Sequence, residues 1–204
     1  KEDPQQMENR HSARTIIELL ADYSSKNGNL VLNVELMPDG TIPEDHKKIL
    51  DDIGAWLHLN GEAIYASKPW KVYGDNIDSY LKILEEEGAD EADLEALKEH
   101  KNKGHFNERT VESPAYGHDE VRFTTKNDDL YIIVLNPEEG EIELPSLGSQ
   151  SAYCSEKIGS VRMVGSGSTV DFDQSPEKLV LHVPGKRSGK YATVFKVEGL
   201  LDNK

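Results

Sequence analysis

Between Leu30 and Leu36 the chain reads LVLNVEL, a run that is apolar at every position except Asn33 and Glu35. Such a run is too short for a buried helix and too continuous for a strand with one wet face. It reads as a strand covered on both sides, as in a parallel sheet. Its flanks agree. In SARTIIELLADYSS (12–25), Ile16, Leu19, Leu20 and Tyr23 fall at helical spacing behind Ser12, a cap residue, and Gly28 is a natural terminator. After the run, Asp39-Gly40 turns the chain. Thr41 and Glu44 have the spacing of a capping box, with Pro43 and Asp45 suited to a first turn. Ile49, Ile53, Trp56 and Leu57 then repeat along one helical face, and Gly61 closes it. Helix, strand, helix with short loops make one α/β repeat. A strand of this kind needs parallel neighbours, and a (β/α)8 barrel takes about 250 residues. The chain has 204 in all, and only one such repeat fits before residue 70.

The rest of the chain has a different period. Residues 77–103 read as two short acidic helices separated by Gly88, a solvated excursion by charge pattern. From about 119 the pattern alternates: EVRFTTK, LYIIVLN, EIELP, GSVRMVG, TVDFDQ, KLVLHVP and YATVFKVEG follow one another across Gly-, Pro- and Ser-rich turns. Seven short strands at this spacing predict an antiparallel sandwich. Its expected core includes Val121, Phe123, Leu130, Ile132, Val161, Leu179, Leu181, Val194 and Phe195, each strand offering one buried and one wet face. The expected fold class is thus α/β plus all-β: the last helix–strand–helix of a (β/α)8-type barrel (1–70), a linker with the acidic helical insertion (71–118), and a C-terminal β-sandwich (119–204).

Charge narrows the partners. A formal net charge of −15 argues against a nucleic-acid backbone and against an anionic membrane surface. No apolar run approaches the ~20 residues of a membrane-spanning helix. A neutral ligand or another protein is the expected partner. Cys154 is the single cysteine, so neither an intrachain disulfide nor a thiolate metal cluster is expected. The opening KEDPQQMENRHSAR has no initiator Met and no apolar signal core, so Lys1 is expected to be internal to a longer polypeptide.

Candidate chemistry concentrates where the apolar run ends. One parity of the strand, Leu30, Leu32, Val34 and Leu36, is wholly apolar and should face covering helices. The other, Val31, Asn33 and Glu35, turns polar toward the carboxyl end, where barrels place their sites. Asn33 and Glu35 would then point into the barrel mouth. The alternative is that Glu35 is simply solvated and Asn33 ties down a loop. Elsewhere the signals are thin. His100, His105 and His118 lack zinc-site spacing, so no metal is expected. GSGS at 165–168 is a hairpin turn with no helix after it, a poor phosphate cradle. Trp56 and Trp70 suit core packing better than sugar stacking, and Tyr131 and Tyr191 likewise. No Ser or Cys sits in a nucleophile elbow.

The block SKNGNLVLNVELMPDGTIPEDHKKILDDIGAWLHLNGEAIYASKPW (25–70) resembles the closing segment of the catalytic barrel in α-L-fucosidases of glycoside hydrolase family 29. FNERT, VRFTTKNDDLYIIVL and VRMVGSG are similar to the β-sandwich that follows it. The resemblance covers most of residues 12–197. It departs in two places. Glu35-Leu36 stand where the family commonly has Gly-Pro, which should redirect the loop at the barrel mouth. The 77–103 excursion replaces a shorter link. The resemblance implies a retaining, exo-acting hydrolase of terminal α-L-fucose in glycans or glycosides, with an Asp nucleophile and a Glu acid/base. Both belong to earlier barrel segments, and no Asp or Glu here matches their motifs. The implied partners are the fucosylated substrate and the upstream barrel of the same polypeptide. Asn33, Glu35 and Met37 are candidates for shaping the pocket rim. No cofactor is implied, and a periplasmic, secreted or lysosomal-type compartment is. The rival reading is a non-catalytic carbohydrate-binding or scaffold module that keeps a barrel remnant.

Overall fold

The computed structural model describes residues 11–86, 88–102 and 116–201. Helix α1 is Ala13–Ser25, α2 Glu44–Asn60, α3 Tyr80–Glu86 and α4 Glu91–Asn102. Strands β1 (Lys68–Pro69), β2 (Val121–Lys126), β3 (Asp129–Val134), β4 (Gly140–Leu144), β5 (Val161–Met163), β6 (Phe172–Gln174), β7 (Leu179–Val183) and β8 (Thr193–Val197) complete the described elements. Two antiparallel sheets stack. One has the order β1-β2-β3-β8-β5 and the other β4-β7-β6. All seven strands read from the alternation are present, and the dipeptide β1 adds an edge by pairing Lys68 with Thr125.

Between the sheets lie Val121, Phe123, Leu130, Ile132, Val161, Leu179, Leu181 and Phe195, all fully buried. Val194 is buried too, but in a second core. Neighbouring strand residues point to opposite faces, so Val194 and Phe195 cannot share one core. The expectation of one wet face per strand therefore fails for the five-stranded sheet. Its outer face is roofed by α1 and α2, and Tyr131, Ile133 and Val194 meet Ile16, Ile17, Ala21, Ile53 and Trp56 there. Helices, five-stranded sheet and three-stranded sheet form three layers around two cores.

Polar ties fasten the roof. Trp56 Nε1 donates to Ala192 O at 2.7 Å, and Thr124 Oγ1 donates to Ala63 O at 2.8 Å. Tyr131 Oη donates to Glu62 at 3.2 Å, and Tyr191 Oη donates to Asp52 at 2.7 Å. All four aromatics read as packing residues do pack, Trp56, Tyr131 and Tyr191 in or against the roof core and Trp70 against the inter-sheet core.

The helix ends differ from expectation in detail. Ser12 does cap α1, its Oγ accepting from Thr15 N at 3.1 Å. Beyond the helix Asn27, at φ 58°, takes the left-handed position assigned to Gly28. The face of α1 that packs most deeply is Ala13, Ile16, Ile17 and Ala21, while Leu19, Leu20 and Tyr23 are half-buried. The capping box at Thr41 and Glu44 does not form. Pro43 precedes α2 without a side-chain cap, because Thr41 is engaged by Asp39. The acidic excursion forms α3 and α4, with Gly88 at φ +97° between them. Among the described residues no helix is long and apolar enough to cross a membrane.

Candidate functional site

Residues 29–36 join α1 to α2, but the strand expected over 30–36 does not form: the run has no regular structure and pairs with nothing among the described residues. Leu30 is half-buried against the roof core, and Val34 is half-buried. The others are open, Val31 being 85% exposed and Leu36 65%. The cover expected on both faces is therefore missing, because no parallel neighbour lies beside the run.

Asn33 and Glu35 are exposed on this segment, and so is Met37. Met37 is held by its backbone. Its N–H donates to Thr41 O at 2.8 Å, and its carbonyl accepts from Gly40 N at 2.8 Å. Gly40 sits at φ +85°, a conformation a side chain would strain. Asp39 Oδ1 accepts from Thr41 N at 3.0 Å and from Thr41 Oγ1 at 2.7 Å, and these bonds draw its carboxyl below the ordinary carboxylate range. A rigid turn thus follows a segment that presents an amide, a carboxylate and a thioether to the outside. Such a set can hydrogen-bond and shape a polar ligand. It contains no nucleophile paired with a base.

The densest charge lies elsewhere, beneath α1. Arg122 on β2 is 2% exposed. Its Nε donates to Asp22 Oδ1 at 2.5 Å, its Nη2 to Glu120 Oε1 at 2.8 Å and its Nη1 to Val121 O at 3.0 Å. The rings of Tyr73 and Tyr116 lie 5.7 and 5.5 Å from the guanidinium carbon. Burial alone would lift Asp22, yet the charge of Arg122 and the bonds from Lys26 and Arg122 win and hold it low. Glu18 goes the other way. Burial raises it to about 7, with Glu120 adding to the rise and Arg14, 3.8 Å away, opposing it. Burial, with Asp22 next, raises Tyr116 as well. A carboxyl near neutrality has the right pKa for acid/base work, but these side chains are closed over by the roof. The cluster ties α1 to β2. Sequence reasoning missed this cluster; the only local signal was Glu120 two positions before Arg122 at the start of β2. Asp22, a hundred residues away, gave none.

The remaining candidates are dispersed. His118 Nδ1 lies 3.3 Å from Glu138, while His105, the side chain of His100 and the FNERT stretch lie outside the described residues. Among the described residues no group of three or more His, Cys, Asp or Glu is placed to hold a metal ion. Ser166 and the glycines of GSGS only turn β5 back toward Thr169.

The two-helix roof over an antiparallel sandwich defines the class: a helical segment joined to an all-β domain. Comparison with known proteins narrows it. The α-L-fucosidase family model matches residues 3–62. The chain is 28% identical over 193 residues to the α-L-fucosidase of Branchiostoma floridae, covering 91% of this chain and 32% of that protein. It is 32% identical over 167 residues to the tissue α-L-fucosidase of Mus musculus, covering 81% of this chain and 27% of that one. Among solved structures, the Thermotoga maritima α-fucosidase in complex with fucose superposes with a TM-score of 0.61 at 25% identity, over 92% of this chain and 34% of that one. The chain is similar to α-L-fucosidases over most of its length, and it spans about a third of the length of the curated relatives it matches.

Proposed function

We propose that this chain is the C-terminal portion of a retaining, exo-acting α-L-fucosidase that releases terminal α-L-fucose from glycans or glycosides. The observation that carries the reading is the match of its first block to the fucosidase family model, over residues 3–62, which span both roof helices and the segment that joins them. In this reading the catalytic Asp and Glu lie upstream, and the upstream barrel covers the apolar run 30–36. Asn33, Glu35 and Met37 then stand at the rim of the fucose pocket. Retention follows from a covalent fucosyl intermediate that water resolves on the face the leaving group left.

The test compares two polypeptides. The 204-residue chain alone is expected to leave an aryl α-L-fucoside intact. The polypeptide extended through the upstream barrel is expected to hydrolyse it, with the α-anomer of fucose appearing first by proton NMR. Turnover by the 204-residue chain, free of longer species, overturns the placement of catalysis upstream.

A further inference from the structure

A cavity lies away from the segment of Asn33, Glu35 and Met37. It has a volume of about 340 Å³ and opens where the edge strand β1 meets the loop 153–156. Trp70 and Tyr153 both line it, their ring centroids 6.3 Å apart and their planes inclined at 55°. Trp70 also stands edge-on to Phe123, at 5.2 Å and 77°, which fixes the indole from behind. Tyr153 is 39% exposed, so its ring is open to solvent at the cavity mouth. The polar groups around these rings are of mixed kind: the Lys71 ammonium, the Thr125 and Ser155 hydroxyls, and the Glu156 carboxylate. Lys71 Nζ donates to Tyr153 O at 2.8 Å, clamping the loop that carries the tyrosine.

One further observation points to a ligand. The indole Nε1 of Trp70 is buried and has no hydrogen-bond partner. Buried donors are ordinarily satisfied, and an orphan needs an explanation. A hydroxyl from a bound molecule would supply one.

The chemistry selects the class of occupant. One cation and one anion at the rim, on a chain of net charge −15, do not make a phosphate or sulfate site. Two aromatic rings with a few hydroxyl, amine and carboxylate groups suit a molecule with apolar C–H faces and many hydroxyls. The volume is at the low end of ligand sites, room for a single ring. We propose that the cavity between Trp70 and Tyr153 binds one residue of a neutral carbohydrate. This site is non-catalytic and separate from the rim of Asn33, Glu35 and Met37. Trp70 packs on the inter-sheet core, whereas Leu30 packs on the roof core across the sheet. A neighbouring depression, lined by Gln150, Ser151, Pro176 and Glu177, shares Tyr153 with the cavity and gives a longer glycan room to continue.

The test uses the 204-residue chain, so that no fucosidase pocket contributes. Methyl α-L-fucoside, methyl β-D-galactoside and N-acetyllactosamine serve as probes, with sodium sulfate as the anion control. Binding is read by tryptophan fluorescence and by saturation-transfer NMR on the sugar. Trp56 is 2% exposed in the roof core, so a fluorescence change reports Trp70. At least one sugar is expected to bind saturably with a Kd of about 1 mM, and sulfate is not. Tyr153→Ala, a surface change that leaves the thermal unfolding midpoint in place, is expected to weaken binding at least about tenfold. Trp56→Phe keeps the signal. No saturable binding by any sugar overturns the proposal, as does binding that survives both Tyr153→Ala and Trp70→Phe. Because turnover is not measured, failure here leaves the fucosidase reading untouched.

Discussion

Arg122 shows how much a single residue can commit. Its guanidinium is enclosed by Asp22, Glu120 and two tyrosine rings, and the desolvation of three charges is balanced only while all are present. Arg122→Met removes the cation buried between Asp22 and Glu120 and leaves Asp22 only Lys26, so it is expected to destabilise the fold by roughly 3–5 kcal/mol in urea denaturation. Glu18 adds a pH dependence. Its folded value of about 7 stands above the ordinary 4.5, so the folded chain keeps a proton that the unfolded chain has given up between those values. Stability from this group is fully present below pH 4.5, falls as pH rises toward 7, and levels off above. Asp22, held low, works in the opposite sense and loses its contribution as pH falls. At about 1.4 kcal/mol per pKa unit, the Glu18 contribution is of the order of 3 kcal/mol. Glu18→Gln is expected to flatten the decline between pH 4.5 and pH 7, measured by urea midpoints across that range. An unchanged slope would place the decline on another group.

At the scale of elements, the sequence was most readable where one period dominates. The seven strands and both roof helices follow from alternation and from the i, i+3, i+4 pattern alone. What alternation could not show is that β2 and β3 are buried on both faces, because the roof that covers them comes from residues more than sixty positions earlier. The same cause rotated α1. Its leucines satisfied a helical pattern, yet Ile17 and Ala21 meet the sheet, since Arg122 draws Asp22 inward. Asn33, Glu35 and Met37 were legible as a polar end to an apolar run, whereas the Trp70–Tyr153 cavity joins residues eighty apart and leaves no local trace. Two glycines test the packing. A Cβ on Gly54, inside α2, meets nothing within 4 Å, so Gly54→Ala is expected to stabilise by about 0.5–1 kcal/mol through the unfolded chain. A Cβ on Gly148 would fall 2.4 Å from the Glu177 carbonyl carbon, a backbone atom that cannot swing aside. Gly148→Ala is expected to cost about 1–3 kcal/mol in the same assay. Equal effects at both sites would mean that contact at Gly148 is relieved by loop movement.

The molecule as a whole has one face unlike the rest. Val31, Leu32, Leu36, Met37 and Ile42 are all exposed within a dozen residues, an apolar patch of the kind that marks a surface made for covering. Asn33 and Glu35 interrupt that patch, and under the covering proposed above they would line a wet cavity. In the extended enzyme, Asn33 is then expected to hydrogen-bond the substrate or a neighbouring pocket group. Asn33→Ala should lower kcat/KM by roughly 1–3 kcal/mol of transition-state binding, the worth of one buried hydrogen bond. The measurement pairs initial rates on an aryl α-L-fucoside with the thermal midpoint of the same preparation. A loss of rate at unchanged midpoint places Asn33 in the pocket. An earlier midpoint with full activity at low temperature makes it a loop anchor instead, since a residue that only holds the chain cannot slow a reaction in the molecules that remain folded.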